Sequence, residues 1–432
     1  MSHLHIARGA LLLGAALAAI AARAESLEDA WAMALRQDAV LAATRNQAAA
    51  AELGAQAARG QRWPTIAVSG GYTKVDDSPA FDFAWTGLPI QPPPLFEDDA
   101  YATGAATVTL PLFASGQISA SIAAAEAQAR GADAQLLVAS GDVKLAVAEA
   151  YVGVLRARKA EVVAQSSVRT LEALARDTAS LFERELVPKN ELLAAQVALA
   201  DAKQNALRAS NAADVALAAY NRRLGVPMDR TVELDEHVPT PGDLPGNLET
   251  LTEQALARRA ELSAFDAQAE AYGQMARTER SRVLPQVVLT AGYQYLENQF
   301  LDDDTVGLAG IGVRWALFDG GQARKRAAAL DHTRQATERL RDDARSLVEL
   351  QVRQAWLGLR EARLRVEVTA GAAEQAEESL RIAQERYSSG LGTQTQLLEA
   401  QTLRAGAQQN RDDAGLDVQL AELRLARAIG AL

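Results

Sequence analysis

The segment WALFDGGQ, residues 315–322, separates two kinds of sequence. Before it, residues 305–317 alternate between apolar and small or polar side chains, which is typical of a β-strand. After it, the chain has no further proline and is rich in Ala, Leu, Gln, Glu and Arg, which favour helices. The segment LPLFASGQ, residues 110–117, has the same shape. Because this boundary occurs twice, the strand before it and the long helix after it are also expected twice.

The chain matches itself at two fixed offsets, which indicates a duplication. Residues 150–160 (AYVGVLRARKA) match residues 355–365 (AWLGLREARLR) at an offset of 205, the difference between 355 and 150. Upstream the offset is 221, the difference between 248 and 27. The first half therefore holds 16 more residues, 221 minus 205, between Tyr72 and Phe113. Matched positions include Leu27 with Leu248, Pro64 with Pro285, Tyr72 with Tyr293, Phe113 with Phe318, and Gly225 with Gly430.

The two repeats predict the organisation of the chain. Each is expected to contain a helix, a β-hairpin and a long helical hairpin that ends in a tight tip, ERELVPKN at 183–190 or RYSSGLGT at 386–393. A helix of 65 to 70 residues is about 100 Å long, so these helices must pack lengthwise. The predicted parts are a first repeat at 25–225 (β-hairpin 64–113, helical hairpin 116–223), a linker at 226–247, and a second repeat at 248–432 (β-hairpin 285–318, helical hairpin 321–430).

Four segments alternate with a period of two, and each places its apolar residues on one face. An ordinary half-buried sheet explains one such segment, but four of about ten residues each favour transmembrane β-strands. Trp315 and Leu317 are predicted to form the lipid-facing end of the last strand. The aromatic residues expected at the membrane interface are Trp63, Tyr72, Phe113, Tyr293, Tyr295, Trp315 and Phe318.

The loops between paired strands are acidic. They contain Asp76, Asp77, Glu97, Asp98, Asp99, Asp302, Asp303 and Asp304. Charges at this density cannot face lipid tails, so these loops are expected outside the cell, with the helices in the periplasm. A solvated loop is the simpler interpretation, and a divalent-cation site among these acids is the alternative.

Composition restricts the function. Residues 1–24 have the basic, apolar and Ala-x-Ala segments of a secretory signal peptide, so an exported protein is predicted. The absence of cysteine excludes disulfides, thiolate metal ligands and lipid attachment through an N-terminal cysteine. A net charge of −11 argues against nucleic-acid binding. No paired metal-ligand spacing and no catalytic set are present, so no cofactor, metal or enzyme activity is expected.

Four strands cannot close a barrel alone, because the smallest closed membrane barrels have eight strands and open edges are not tolerated in lipid. Three copies would supply twelve strands and would gather the helices into a tube. The sequence therefore predicts a passive conduit. The alternative is a soluble periplasmic coiled-coil adaptor or scaffold, which explains the helices but leaves the four strands without a role.

The chain resembles the TolC-like outer-membrane efflux and secretion channels. The resemblance covers the predicted mature chain and includes SLEDAWAMAL, both strand exits, the tip motif ERYSSGLGTQTQLLEAQ, and repeats that end in RRLG and ARAIG. It implies a homotrimer, a twelve-stranded barrel in outer-membrane lipid and an α-helical barrel in the periplasm. It also implies a periplasmic adaptor and an inner-membrane RND or ABC-type transporter, as in tripartite efflux pumps and type I secretion systems. The residues of a passive tube do not indicate its cargo.

The resemblance also implies roles for the helix tips, which close the periplasmic entrance in this family. Tyr387 takes the tip tyrosine position with Asn190 and Glu191 as partners, and Gln396 and Glu399 take two ring positions. The tip residues implied to contact an adaptor are Leu186, Val187, Gly390, Leu391 and Gly392. Two positions depart from the family pattern, since Gly392 replaces an arginine and Gln396 replaces a ring acid. A salt bridge from Glu191 to position 392 therefore cannot form.

Overall fold

The computed structural model describes residues 24–79, 85, 87, 94, 96, 100–239, 247–298 and 302–432. Apart from Ala24, the predicted signal peptide lies outside the described residues, as do the loop acids 97–99. The helices are α1 (Leu27–Gln37), α2 (Ala39–Gly60), α3 (Gln117–Glu183), α4 (Lys189–Leu224), α5 (Leu248–Arg258), α6 (Ala260–Ser281), α7 (Gln322–Ser388) and α8 (Gln394–Ala428). The strands are β1 (Thr65–Lys74), β2 (Ala100–Phe113), β3 (Gln286–Leu296) and β4 (Thr305–Arg314).

Two compact units divide the chain, and each contains matching segments of both repeats. The helical unit comprises residues up to 45, 135–262 and 343–432. The sheet unit comprises residues 46–134 and 263–342. The long helices α3 and α7, of 67 residues each, contribute residues to both units.

The sheet unit contains one antiparallel sheet with strand order β1-β2-β3-β4. Ile66 pairs with Val108, Val108 with Ala291, and Ala291 with Ala309. Directly paired residues point to the same side of a sheet, so the apolar positions of all four strands share one face. This confirms the predicted alternation.

The last strand ends earlier than predicted. β4 stops at Arg314, so the prediction that Trp315 and Leu317 continue it was wrong. Arg314 pairs with Gln286, the first residue of β3. The residue before it is Pro285, which has no backbone N–H to extend the ladder. The side chains of Trp315 and Leu317 are nevertheless 58% and 78% exposed.

In the helical unit, two equivalent apolar clusters show the duplication in three dimensions. In the first, Ala30 and Ala34 of α1 pack with Val147 of α3 and with Tyr220 and Leu224 of α4. The second contains the residues at the matching offsets, which are Leu251, Ala255, Val352, Leu425 and Ile429. Each short helix is thus anchored at the root of its own long hairpin.

A buried polar group anchors the first described residues. The Glu25 carboxylate is buried and accepts hydrogen bonds from the Tyr220 hydroxyl and the Arg230 guanidinium. The Tyr151 hydroxyl lies 2.7 Å from the carbonyl oxygens of both Glu25 and Asp235. Burial is the main cause that raises the pKa of both tyrosine hydroxyls, so both remain protonated donors.

Among the described residues, every helix is too polar or too short to cross a bilayer.

Candidate functional site

The two hairpin tips belong to the helical unit and are related by the offset of 205 residues. The first tip connects α3 to α4 through residues 184–188, and the second connects α7 to α8 through residues 389–393. Both tips expose one large apolar side chain. Leu186 is 67% exposed and its repeat equivalent Leu391 is 74% exposed.

Backbone hydrogen bonds fix the second tip. The amides of Leu391 and Gly392 donate to the Arg386 carbonyl at 2.8 and 2.9 Å. Thr393 then caps α8, because its hydroxyl accepts from the Gln396 amide at 3.3 Å and its own amide donates to the Gln396 side chain at 3.3 Å. Such reciprocal capping satisfies two backbone donors that a helix start would otherwise leave free. The side chain of Gln396, a predicted ring residue, thus takes part in this helix cap.

A side chain at position 392 would crowd the end of α7. A Cβ atom there would lie 3.1 Å from the Arg386 Cβ and 3.2 Å from the Tyr387 nitrogen. The arginine that the family resemblance would place at this position does not fit this turn without a shift of α7. The second tip therefore packs Gly392 against the end of α7 and carries no charge at position 392.

The first tip is more strained than the second. Glu185 adopts φ +61°, a left-handed conformation that disfavours side chains with a Cβ. Its repeat equivalent Gly390 adopts φ +71° without that penalty. Pro188 precedes α4 and offers no side-chain cap. The first tip therefore lacks both the unstrained left-handed glycine and the side-chain helix cap of the second tip.

Apolar contacts join the two hairpins near their tips. Leu174 of α3 and Tyr387 of α7 pack against a cluster formed by Leu380, Leu397 and Ala400. The Tyr387 hydroxyl is buried and, in the described part of the chain, has no hydrogen-bond partner. A single chain therefore does not form the expected contact of Tyr387 with Asn190 and Glu191. That contact remains a prediction for neighbouring chains.

Beside this cluster lies a groove of about 720 Å³. It is lined by residues of both hairpins, including Leu171, Asp177, Tyr387 and Gln401. The side-chain oxygen of Gln401 is buried and, among the described residues, accepts no hydrogen bond. The groove thus combines apolar walls with unsatisfied polar atoms.

The remaining predicted tip residues face solvent. Asn190 and Glu399 are exposed, and Glu191 and Val187 are partly exposed. Glu399 forms no ion pair within the described ranges. Its carboxylate is therefore free for contacts outside the single chain. Nor do the described residues contain a group of three His, Asp or Glu side chains that could hold a metal ion.

A charged network ties the hairpin roots together. Arg427 of α8 donates to Asp142 of α3 at 2.7 Å and to Glu261 of α6 at 2.9 Å. Arg259 donates to the same Glu261 carboxylate at 2.9 Å and to the Ala428 carbonyl at 3.1 Å. Burial alone would raise the pKa of Glu261, but hydrogen bonds from Arg259 and Arg427 outweigh it and lower the pKa. Ion pairs and hydrogen bonds therefore hold the helices together at the hairpin ends opposite the tips.

Sequence reasoning missed two ion pairs that connect neighbouring helices in the sheet unit. Arg59 pairs with Glu126 at 2.9 Å, and Arg280 pairs with Asp331. The arginines differ by 221 positions and the acids by 205, the two offsets of the repeat. Charge retained at both matched positions was the signal that would have revealed these pairs.

Comparison with known proteins agrees with this architecture. A family model described as outer membrane efflux protein matches residues 31–226 and 251–431. Among curated proteins, no sequence matches the chain.

Solved structures show the same fold. The outer membrane protein VceC of Vibrio cholerae superposes with a TM-score of 0.81 at 19% identity, covering 94% of this chain and 96% of VceC. The CmeC outer membrane channel of Campylobacter jejuni gives 0.82 at 13% identity, covering 94% and 86%. The open state of the Neisseria gonorrhoeae MtrE outer membrane channel gives 0.73 at 16% identity, covering 94% and 88%. The chain therefore belongs to the outer membrane efflux protein family, a family of outer-membrane exit channels and not of enzymes.

Proposed function

We propose that the chain forms a homotrimeric exit channel that is opened at its helix tips. The observation that carries this proposal is the four-stranded sheet with one apolar face and with two edges, β1 and β4, that are unpaired within the described residues. Unpaired backbone groups are not tolerated in lipid, so the edges require partners from other copies. Three copies supply twelve strands, an even number within the range of closed membrane barrels.

An exposed stripe on α7 supports association through the helices as well. Leu347, Leu350, Leu357, Leu364 and Val368 are each between 48% and 71% exposed. Their spacings of 3, 7, 7 and 4 residues place them on one helix face, as in the seam of a coiled coil. A neighbouring copy would bury this stripe.

The tips are the proposed gate. Their apolar cluster joins the hairpins, while Leu186 and Leu391 stay exposed at the extreme ends. A periplasmic adaptor that covers these leucines would gain free energy by burying them, about 25 cal/mol per Å² of apolar surface. Docking would thereby favour the tip arrangement that the adaptor fits. In this proposal an RND or ABC-type transporter of the inner membrane supplies cargo and energy, and the channel only conducts.

Fractionation and mass measurement test the channel itself. The full-length protein is expected in the outer-membrane fraction, as a trimer in mild detergent, with stepwise conductance in planar bilayers. Recovery as a soluble periplasmic monomer without conductance would favour the alternative coiled-coil scaffold.

Adaptor docking has its own test. Replacing Leu186 and Leu391 together by serine is expected to abolish adaptor capture and export, while trimer mass and bilayer conductance stay unchanged. The matched control is Val40→Ser, which alters a 71% exposed apolar side chain away from the tips. Normal export by the tip variant would show that docking does not use these leucines.

A further inference from the structure

Opposite charges flank the two ends of the sheet. At the loop end, the described acids are Asp76, Asp77, Glu297, Asp302, Asp303 and Asp304. At the helix end, where β1 and β3 begin and β2 and β4 finish, the exposed cations that form no ion pair within the described ranges include Arg62 before β1 and Arg324, Lys325 and Arg326 in α7. We name these four residues the basic collar. A chain with a net charge of −11 thus places four exposed cations, unpaired among the described residues, at one end of its sheet.

The fold itself does not require these cations. At the offset of 205, Arg324, Lys325 and Arg326 correspond to Ser119, Ala120 and Ser121, which begin α3 at the equivalent place. The start of a helix carries partial positive charge, so cations there are unfavourable. Within the described ranges, none of the four collar side chains forms an ion pair. Their charge is therefore available to a partner outside the chain.

Exposed aromatic side chains lie close to the collar residues in sequence. Trp63 follows Arg62 directly and is 73% exposed. Phe318, 88% exposed, lies six residues before Arg324. Tryptophan and other aromatic residues favour the boundary between lipid tails and head groups. Because α7 begins at Gln322, the triplet lies within about 7 Å of the helix start, which is the depth of one head-group layer.

We propose that the basic collar binds the phosphate head groups of anionic phospholipids where the sheet leaves the membrane. The exposed aromatics contact the acyl boundary, and the long arginine and lysine side chains reach the adjacent phosphates. Arg314 is not part of the collar, because it lies on the opposite sheet face from Val313 and the other apolar residues. The proposal rests on the insertion of the sheet into the outer membrane.

Energy transfer between tryptophan and labelled lipid tests the proposal. The full-length protein is reconstituted in phosphatidylcholine vesicles that contain traces of either dansyl-phosphatidylglycerol or dansyl-phosphatidylcholine. Transfer to the anionic probe is expected to exceed transfer to the neutral one, and added salt should reduce the difference. The triple variant Arg324→Ser, Lys325→Ala, Arg326→Ser should lower this preference at least fivefold, roughly the effect of one cation at a membrane surface.

Two further variants separate charge from folding. The pair Arg324→Lys and Arg326→Lys keeps the charge and should keep the preference. Replacing Arg176, Arg184 and Arg208 by serine removes three exposed cations from α3, the first tip and α4, and should also leave the preference unchanged.

Three results would overturn the proposal. Equal transfer to both probes would show that the chain inserts without selecting anionic lipid. Loss of the preference on addition of inorganic phosphate at constant ionic strength would show a site for free phosphate instead. Absence of transfer to either probe would overturn the proposal together with the membrane insertion on which it rests.

Discussion

Single residues at the tips show how the two repeats have diverged within one backbone. Glu185 and Gly390 occupy equivalent left-handed positions, but only glycine adopts that conformation without a steric penalty. Glu399 and its equivalent Ala194 differ in charge at matched positions of α8 and α4. The two repeats therefore share one backbone but differ in steric strain and in charge at matched tip positions.

Relief of the strain at Glu185 is the first residue-scale prediction. Glu185→Gly should stabilise the first tip by about 1 kcal/mol, because relief of the left-handed Cβ clash outweighs the freedom that glycine adds to the unfolded chain. The Leu186 amide, which donates to the Leu181 carbonyl at 2.9 Å, reports this through roughly fivefold slower hydrogen exchange. The reciprocal change Gly390→Glu should speed exchange of the Leu391 amide. Unchanged exchange in both variants would contradict a conformational penalty.

The second residue-scale prediction concerns ion block. Three copies of the exposed Glu399 carboxylate around the channel axis would attract multivalent cations at the entrance. Glu399→Ala should weaken the block of channel current by such cations in planar bilayers. Glu374→Ala, which removes a carboxylate from α7 away from the tip, is the control. Identical block before and after the Glu399 change would rule out the ring.

At the scale of elements, the long hairpins combine braced roots with lightly held tips. Arg427 connects α8 to α3 and α6, and Arg259 holds the last carbonyl groups of α8. Near the tips, by contrast, the buried cluster that joins the hairpins consists of only Leu380, Leu397 and Ala400 within the described residues. A gate that opens at the tips needs this gradient, because movement there must not unfold the roots.

The root network predicts a specific pH dependence. The pKa of Glu261 is lowered in the folded chain, so its contribution to stability is present above its unfolded pKa of 4.5 and is lost as the pH falls through the folded value. Glu261→Gln should lower Tm at neutral pH by roughly 5 °C, since hydrogen bonds to a charged group contribute about 2 kcal/mol. The gap between wild type and variant should close in acid.

Thermal melting between neutral and acidic pH measures this gap. The control is Glu149→Gln, which breaks the exposed pair with Arg424 and should change Tm little. A gap for Glu261→Gln that is independent of pH would mean that its charge does not contribute to stability.

For the whole molecule, the sequence predicted the architecture because duplication, proline placement and alternation act over long stretches. The end of β4 was missed because strand pairing with Gln286, and not the residues of β4 alone, decides where the ladder stops. The surroundings of Tyr387 were equally hidden, since Leu174 lies more than 200 positions away in the chain. Long-range packing of this kind has no local signature.

Closure of the sheet by three copies is the central claim, and disulfide trapping tests it most directly. The chain has no cysteine, so Val68→Cys on β1 and Ile311→Cys on β4 introduce the only thiols. Within one chain these edge strands are separated by β2 and β3, about 14 Å, which is too far for a disulfide. If the register between copies is shifted, the β4 cysteine is placed instead at position 309 or 313, which lie on the same face as Ile311.

Oxidation of this double variant in outer membranes should give covalent dimers and trimers and nothing larger, because a ring of three leaves no free edge. Each single-cysteine variant should stay monomeric on a denaturing gel. Two results would contradict the closed trimeric channel. One is a product that remains monomeric whether the β4 cysteine is at position 309, 311 or 313, and the other is a series of cross-linked products larger than three copies.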